Sequence, residues 1–331
     1  MSLQLKPVTR LQLFLKEFIM RNSDRSFPCR QRRGTKLTTR AIFFLFTLPA
    51  VLLYLYFIVY PLLNGLYYSL TDWNGVGRSY QFVGLANYYK IFHDKTSLSV
   101  VGRTFLYTLL LTVICTALSV FLAILLNREM KGKSVFRSIY FFPAVLSSIT
   151  IGLIFNQIYN SLLPQVGSEL GIGALSHSLL SSGKTVMWAI LFINVWQGTA
   201  LPTVIAIAGL QAIPVEIRES AKMDGASAWQ EFCHVTLPLL MPTVSVIIIL
   251  NVRSGLMVFD YIKATTDGGP GFATMSIAME IYKHAFTDMK FAYSSAESTV
   301  TFLLITVIAI IQLWCSRVKE HSCNSLNAPI E

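Results

Sequence analysis

The sequence predicts an all-α membrane protein with six transmembrane helices. Of its 331 residues, 53% are hydrophobic and only 13% are charged, and the mean hydropathy is +0.56, which lies outside the usual range of soluble domains of this size. A helix that crosses a hydrocarbon core of roughly 30 Å needs about 20 apolar residues. The chain has apolar runs of that kind at residues 41–65, 103–126, 136–158, 186–209, 236–258 and 298–316.

The segments between these runs are too short for a separate aqueous domain. We therefore divide the chain into a basic N-terminal tail (1–40), one membrane domain (41–316) and a C-terminal tail (317–331). The cysteines have no C-x-x-C spacing, which predicts free thiols rather than a disulfide framework or a cysteine-bound zinc site. They are Cys29, Cys115, Cys233, Cys315 and Cys323.

The distribution of positive charge orients the predicted helices. Residues 1–40 hold ten Lys and Arg against Glu17 and Asp24, so most of the net charge of +10 belongs to the tail and does not indicate a nucleic-acid partner. With six spans, 18 Lys and Arg lie on the face shared by both termini and 7 on the opposite face. The positive-inside rule then places both termini and the loop at 214–238, called the connecting loop below, in the cytoplasm.

The N-terminal tail lacks the pattern of a cleaved signal peptide. Its apolar cluster between Leu11 and Met20, interrupted by Lys16 and Glu17, is compatible with an interfacial helix on an anionic leaflet. A mobile basic tail that only fixes topology explains the same residues, and both interpretations stay open.

The first three spans carry ordinary membrane features. Aromatic residues after span 1 predict a belt at the outer interface. They are Tyr60, Tyr67, Tyr68, Trp73 and Tyr80. Span 3 contains Pro143, which frees a backbone carbonyl that neighbouring helices or hydroxyls must satisfy, so this helix is expected inside a bundle.

Spans 4 and 5 carry polar groups at membrane depth. In span 4, positions i, i+3, i+4 and i+7 share one face; these are Asn194, Gln197, Gly198 and Leu201. Polar groups within a span tend to face a bundle interior or an aqueous path. The alternative is that these amides only join helices by hydrogen bonds.

Span 5 extends this candidate solute path with Asn251, Arg253 and Gly255 in its outer half. The Arg253 guanidinium matches a carboxylate or a phosphate, which suggests an acidic solute. Snorkelling of the long side chain to the headgroups explains the same residue.

The connecting loop has the signals of two short helices around a turn. Glu216 and Glu219 suit the positive end of a helix, and Gly225 after Asp224 suits a left-handed cap. Ser227-Ala-Trp-Gln230 has the spacing of a capping box that starts a second helix toward span 5. A charged Glu219 beside small residues predicts a docking surface for another protein. The alternative interpretation is a connector between two spans that has no partner.

The loop resembles the Glu-Ala-Ala motif of the membrane subunits of binding-protein-dependent ABC importers. That pattern is Glu-Ala-Ala, three residues, Gly, nine residues, Ile, one residue, Leu-Pro. Here the matching residues are Glu219, Ser220, Ala221, Gly225, Val235, Leu237 and Pro238, with every spacing kept. Ser220 and Val235 are mild departures from the pattern.

Further segments are similar to the carbohydrate importers, in the type of the first permease of maltose and glycerol-phosphate systems. They are TDWNG at 71–75, FVGLANY at 82–88, FFPAVLSSITIGLIF at 141–155, MDGASAWQEF at 223–232 and FDYIKATTDGGP at 259–270. The resemblance implies the type I (MetI-like) importer fold, with a cytoplasmic coupling helix between spans 4 and 5. It also implies a location in the bacterial cytoplasmic (inner) membrane.

The resemblance also implies the partners and the mechanism. These are a homologous second permease, two copies of a cytoplasmic ATPase that uses ATP and Mg, and an external solute-binding protein. ATP binding would draw the coupling helices together and switch the membrane helices from inward-facing to outward-facing. The implied ATPase-coupling residues are Glu219, Ser220, Ala221, Asp224, Gly225, Leu237 and Pro238.

The chain itself has no G-x-x-x-x-G-K-[ST] loop, so we expect a non-catalytic subunit that binds no cofactor and receives energy from a partner. An ion-driven secondary transporter would favour buried Asp, Glu or His within the spans, and the spans offer essentially none. A protein that serves only as a membrane anchor would not explain the polar faces of spans 4 and 5.

Overall fold

The computed structural model of the protein describes residues 36–127, 132–173 and 175–326, and side chains within these ranges except at 36–42, 133 and 315–326. The predicted N-terminal tail up to residue 35, residues 327–331 and the thiols of Cys29, Cys315 and Cys323 lie outside what is described. Cys115 is buried and Cys233 is half-buried, both as free thiols. The chain divides into two units, residues 1–61 and 62–331.

The described part of the first unit, from Lys36 onward, is an apolar helix. Helix α1 (Lys36–Tyr54) contains Pro49 and continues through a π-helical turn at Leu55–Val59. Its described side chains are half-buried or exposed, although most are Phe, Leu, Val or Tyr. A helix with such a surface requires lipid or another protein chain around it.

The helices that follow are α2 (Tyr60–Tyr68), α3 (Ala86–His93), α4 (Lys95–Asn127), α5 (Lys133–Val145), α6 (Ser148–Gln157), α7 (Leu163–Glu169), α8 (Val186–Gly198), α9 (Ala200–Gln211), α10 (Val215–Met223), α11 (Ala228–Glu231), α12 (Leu237–Leu256), α13 (Asp260–Thr265), α14 (Ile277–Tyr282) and α15 (Phe291–Leu326). Single π-helical turns connect α6 to α7, α11 to α12, and α14 to the loop before α15. Within the described ranges the β structure is one isolated bridge between Thr71 and Phe82. The predicted all-α class is confirmed.

Among the residues that the structure describes, four continuous helices are long and apolar enough to cross a membrane. They are Phe43–Tyr68, Lys95–Asn127, Ala228–Leu256 and Phe291–Trp314. Two further apolar helix pairs are bent, Ser134–Val145 with Ser148–Glu169 by 94° and Val186–Gly198 with Ala200–Gln211 by 43°. Counting each pair as one span gives six, and this count stays a prediction.

Both bends follow from the local sequence. Helix α5 ends two residues after Pro143, where Leu146 takes an extended conformation (φ −79°, ψ 148°). In the second pair, Pro202 has no N–H to offer to the carbonyl four residues earlier, at Gly198. The helix breaks there, at Thr199, whose hydroxyl instead bonds back to the Val195 carbonyl.

Helix α4 forms the centre of the second unit. Its first half lies in a core cluster that includes Leu111 of α4 and Ile190 of α8. Its second half lies in another cluster, with Ala123 of α4 and Leu240 of α12. Gly255 of α12 approaches the α4 backbone so closely that an added Cβ would lie 2.8 Å from the Cα of Thr108. This contact fixes α12 against α4.

Candidate functional site

The connecting loop folds as two helices around a left-handed glycine. Helix α10 ends at Met223, and Gly225 follows with φ +79°. The Ala226 N–H donates to the Ala221 carbonyl at 3.1 Å, and the Gly225 N–H donates to the Lys222 carbonyl at 3.1 Å. This is the Schellman arrangement, in which a residue with positive φ satisfies the last carbonyls of a helix. The predicted turn at Gly225 is present.

The second helix of the loop begins with the predicted capping box. The Gln230 N–H donates to the Ser227 hydroxyl at 3.3 Å, and the Ser227 N–H donates to the Gln230 side-chain oxygen at 2.8 Å. Helix α11 then continues without interruption into α12, giving one helix from Ala228 to Leu256.

A salt bridge that the sequence reasoning missed holds the two helices of the loop together. Arg218 Nε of α10 donates to Glu231 Oε1 of α11 at 2.7 Å. The Glu231 side chain is buried, whereas Arg218 keeps 39% of its side chain exposed. A charged residue just before an apolar span was the only sequence signal for this pair, and it did not identify the partner.

The tip of the loop presents both charged and apolar groups to the surroundings. Glu219, Ser220, Asp224 and Gly225 are exposed, and Ala221 is half-buried. Met223 and Trp229 flank the turn with 88% and 72% exposure. Large apolar side chains exposed at this level, on either side of a rigid turn, are typical of a protein-binding surface.

The structure does not place all the predicted coupling residues at this tip. Leu237 and Pro238 are half-buried in the first turn of α12. Leu237 lines an apolar groove together with Val120 of α4 and Trp229. Leu237 and Pro238 therefore lie at the start of the span and not at the exposed tip of the loop.

The candidate solute-path residues surround a cavity of about 520 Å³, called the central cavity below. Ligand pockets in proteins are commonly about 300–1,000 Å³. Six of the seven predicted residues line it. They are Asn194, Gln197, Gly198, Leu201, Asn251 and Arg253. Gly255 is not among the lining residues, because it is buried in the contact between α12 and α4.

The amides of the central cavity are bonded within the chain. Gln197 Nε2 donates to the Leu146 carbonyl at 2.9 Å, at the break between α5 and α6, and the Tyr261 hydroxyl donates to Gln197 Oε1 at 2.8 Å. Asn194 Nδ2 donates to the Tyr107 hydroxyl at 2.9 Å. These bonds fit the alternative in which the amides join helices, and they also fix the amides at the cavity wall.

Two charged side chains complete the cavity wall. Arg253 and Asp260 are both exposed and both line the cavity. The wall therefore contains one positive and one negative group among the charged residues described. Asp260 and Tyr261 belong to the segment 259–270 that resembles the carbohydrate importers, but neither was predicted to line the solute path, because they follow the predicted span 5.

A second polar centre lies where α14 meets α15. His284 Nδ1 is 2.9 Å from Glu297 Oε2, and both carboxylates of this centre, Glu280 and Glu297, are buried. Burial, together with the negative charge of Glu297, raises the pKa of Glu280 to about 7. The hydrogen bond that the imidazole makes to the Glu297 carboxylate raises the pKa of His284. Glu297 belongs to the last apolar helix, Phe291–Trp314, but lies one residue before the predicted span at 298–316, so the expectation of essentially no buried acid within the spans stays a prediction.

Comparisons with known proteins place the chain in a family of transport-system membrane components. Residues 30–318 match the family described as "Binding-protein-dependent transport system inner membrane component". The multiple sugar-binding transport system permease protein of Streptococcus mutans is 38% identical over 275 residues, which cover 83% of this chain and 95% of that protein. The trehalose/maltose transport system permease protein of Thermococcus litoralis is 33% identical over 289 residues, covering 84% and 94%.

A solved structure shares the fold. It is that of a bacterial alginate ABC transporter in complex with alginate pentasaccharide-bound periplasmic protein. Its matching chain has a TM-score of 0.75 at 18% identity, and the match covers 87% of this chain and 98% of that chain.

Proposed function

Because the chain belongs to the family of inner membrane components of binding-protein-dependent transport systems, we propose that it is the permease subunit of an ATP-driven ABC importer for sugars or oligosaccharides. In this proposal the chain forms half of the translocation path, with a homologous second permease as the other half. Two cytoplasmic ATPase subunits supply the energy, and an external binding protein delivers the solute. The names of the relatives support a saccharide as the solute.

The observation that carries the proposal is the exposed tip of the connecting loop. Glu219 offers a charge, Met223 and Trp229 offer apolar area, and the Schellman turn at Gly225 and the Arg218–Glu231 pair hold the two helices in one geometry. A preorganised surface of this kind loses little conformational entropy on docking. We assign it to contact with the ATPase and place it on the cytoplasmic side.

Co-purification tests this assignment. The complete importer is extracted in mild detergent by a tag on this chain, and the ATPase that elutes with it is quantified. Glu219→Lys is expected to reduce the co-eluting ATPase strongly while the second permease still elutes. Glu169→Lys is the matched control, because Glu169 is also exposed, on α7. Equal amounts of ATPase with Glu219→Lys and with the control would contradict the assignment.

The wall of the central cavity favours a neutral saccharide. Arg253 provides one positive charge, and Asp260 on the same wall provides one negative charge, so an anionic solute would meet no net attraction there. Hydrogen bonding by the polar wall is the recognition that remains, and it suits hydroxyl groups.

An acidic saccharide, such as a uronate or a sugar phosphate, is the second candidate, and the exposed Arg253 is the observation for it. Uptake of matched neutral and anionic saccharides into vesicles separates the two. Loss of anionic uptake in Arg253→Gln, with neutral uptake kept, would establish the acidic substrate. Unchanged anionic uptake in Arg253→Gln would refute it.

An ion-driven secondary transporter is the remote alternative. The family to which the chain belongs is defined by dependence on a binding protein, which does not favour it. Uptake that persists in vesicles without ATP but with an ion gradient would support this alternative over an ATP-driven importer.

A further inference from the structure

Two carboxylates and one imidazole come together where α14 meets the first turns of α15. Glu280 and His284 are four residues apart and project from the same side of the helical segment that runs from α14 into its π-helical turn. Glu297 of α15 faces them. One ligand-type atom of each of these three residues lies within 4.8 Å of the other two.

The three side chains form a largely buried cluster rather than a cluster on the surface. Glu280 and Glu297 expose only 7% and 5% of their area, and His284 exposes 17% of its side chain. Buried carboxylates need a compensating positive charge. A histidine that binds a metal is neutral, so within this group of three residues the two carboxylates then lack a positive charge, which a bound cation supplies.

The atoms next to this group are arranged as outer partners of metal ligands. The Ser97 hydroxyl of α4 donates to Glu280 Oε1 at 3.1 Å. The His284 nitrogen that points away from Glu297, Nε2, is 3.9 Å from Asp288 Oδ2, which is an ion-pair distance. A hydrogen-bond donor behind a ligating carboxylate is one of the contacts that orient metal ligands in proteins, whereas 3.9 Å is too long for the hydrogen bond by which a carboxylate would orient His284.

An entry route for an ion lies beside the group. A cavity of about 440 Å³ is lined by His284 together with Asp72 and Asp94, which attract cations, and also by Lys90 and Lys290, which do not. Tyr293 of α15 lies on the same wall. The group is therefore buried but reached from a polar cavity.

We propose that Glu280, His284 and Glu297 bind one Zn²⁺. An imidazole nitrogen and two carboxylate oxygens are a ligand set that zinc binds with bonds of about 2.0–2.2 Å, and a fourth position stays open for water. Tetrahedral bonds of that length hold ligand atoms about 3.3 Å apart. His284 Nδ1 and Glu297 Oε2 share a hydrogen bond of 2.9 Å, so the ion would replace the proton between them and release it to solvent, their distance would widen slightly, and the Glu280 carboxylate would turn toward the ion. The bound ion ties α14 to α15.

Metal retention by the full chain tests this site. The protein is purified in detergent, stripped with a chelator, incubated with Zn²⁺, and desalted, and the zinc content is measured by mass spectrometry. Wild type is expected to keep one zinc per chain and to gain thermal stability. His284→Gln and Glu297→Gln are each expected to weaken zinc binding at least tenfold. His93→Gln is the matched control, because His93 is an exposed histidine outside the group.

Two further measurements keep the proposal falsifiable if these variants do not fold. Ser97→Ala removes only the outer donor and is expected to weaken zinc binding about tenfold. Wild type loaded with Co²⁺ is expected to show the intense visible absorption of four-coordinate cobalt. Equal zinc retention by wild type and His284→Gln, an equal loss in His93→Gln, or only the weak absorption of six-coordinate cobalt would each overturn the proposal.

Discussion

The connecting loop and the central cavity use their polar residues in opposite ways. At the tip of the loop, Glu219 and Asp224 are exposed, and the bonds that shape the loop are made by its backbone, its capping box and the Arg218–Glu231 pair. In the cavity, Asn194 and Gln197 are buried and their side chains bond to neighbouring helices. The loop therefore keeps the charged side chains of its tip exposed, whereas the amides Asn194 and Gln197 of the cavity join neighbouring helices.

The largest effect that would sharpen this comparison is expected at Gly225. Gly225→Pro forces a negative φ where the backbone has φ +79° and removes the N–H that bonds to the Lys222 carbonyl. Solute-stimulated ATP hydrolysis by the reconstituted importer is expected to fall at least tenfold, with membrane insertion intact. Gly171→Pro is the control, because Gly171 also has positive φ (+70°) in an exposed turn. Normal coupling in Gly225→Pro would show that the loop geometry does not matter.

A smaller effect is expected where α12 crosses α4. Gly255→Ala places a Cβ 2.8 Å from the Thr108 Cα, and such overpacking costs about 1–3 kcal/mol. The melting temperature in detergent is expected to fall, with the KM for solute unchanged. Gly102→Ala serves as the control, because Gly102 lies on α4 and a Cβ added there meets open space. A change in KM without a change in melting temperature would support the original prediction that Gly255 lines the solute path.

The next smaller effect on stability is expected at the Arg218–Glu231 salt bridge of the connecting loop. Arg218→Met leaves the buried Glu231 carboxylate without its partner, at a cost of about 1–2 kcal/mol once the partial exposure of Arg218 is considered. Arg218→Met combined with Glu231→Gln is expected to recover most of the lost stability in thermal unfolding. If the double variant is no more stable than the single one, the pair does not hold the two helices together.

The smallest effect is expected in the cavity, where it separates the two uses of an amide. Asn194→Leu removes one hydrogen bond to Tyr107 and is expected to cost about 1 kcal/mol in stability. If Asn194 also contacts the solute, KM rises several-fold in uptake assays, beyond the change in Leu201→Ala, a variant of an apolar lining residue. An unchanged KM would leave Asn194 as a residue that only joins helices.

The sequence was most informative where structure is decided locally. The turn at Gly225 and the capping box at Ser227 depend on residues within a few positions of one another, and both are present in the predicted form. The family expected from the same motif is confirmed. The all-α class followed from apolar run length, which is also a local property.

The sequence was least informative where distant segments meet. No periodicity in the sequence predicts the contacts between distant residues. These contacts join Glu231 to Arg218, Gly255 to Thr108, and Gln197 to the Leu146 carbonyl. The grouping of Glu280 and His284 with Glu297 was missed for the same reason, since it needs a helix outside the predicted spans to fold back onto the last one.

The unbroken helix from Ala228 to Leu256 joins the connecting loop to the wall of the central cavity. Trp229 lies near one end and Asn251 near the other, and at 1.5 Å per residue the two are about 33 Å apart along the axis. A tilt of roughly 5° about the Trp229 end would displace the Asn251 end by roughly 3 Å, about the length of a hydrogen bond. Under the proposed function, a small rotation at the ATPase would thus be enough to remake or break the contacts at the cavity wall.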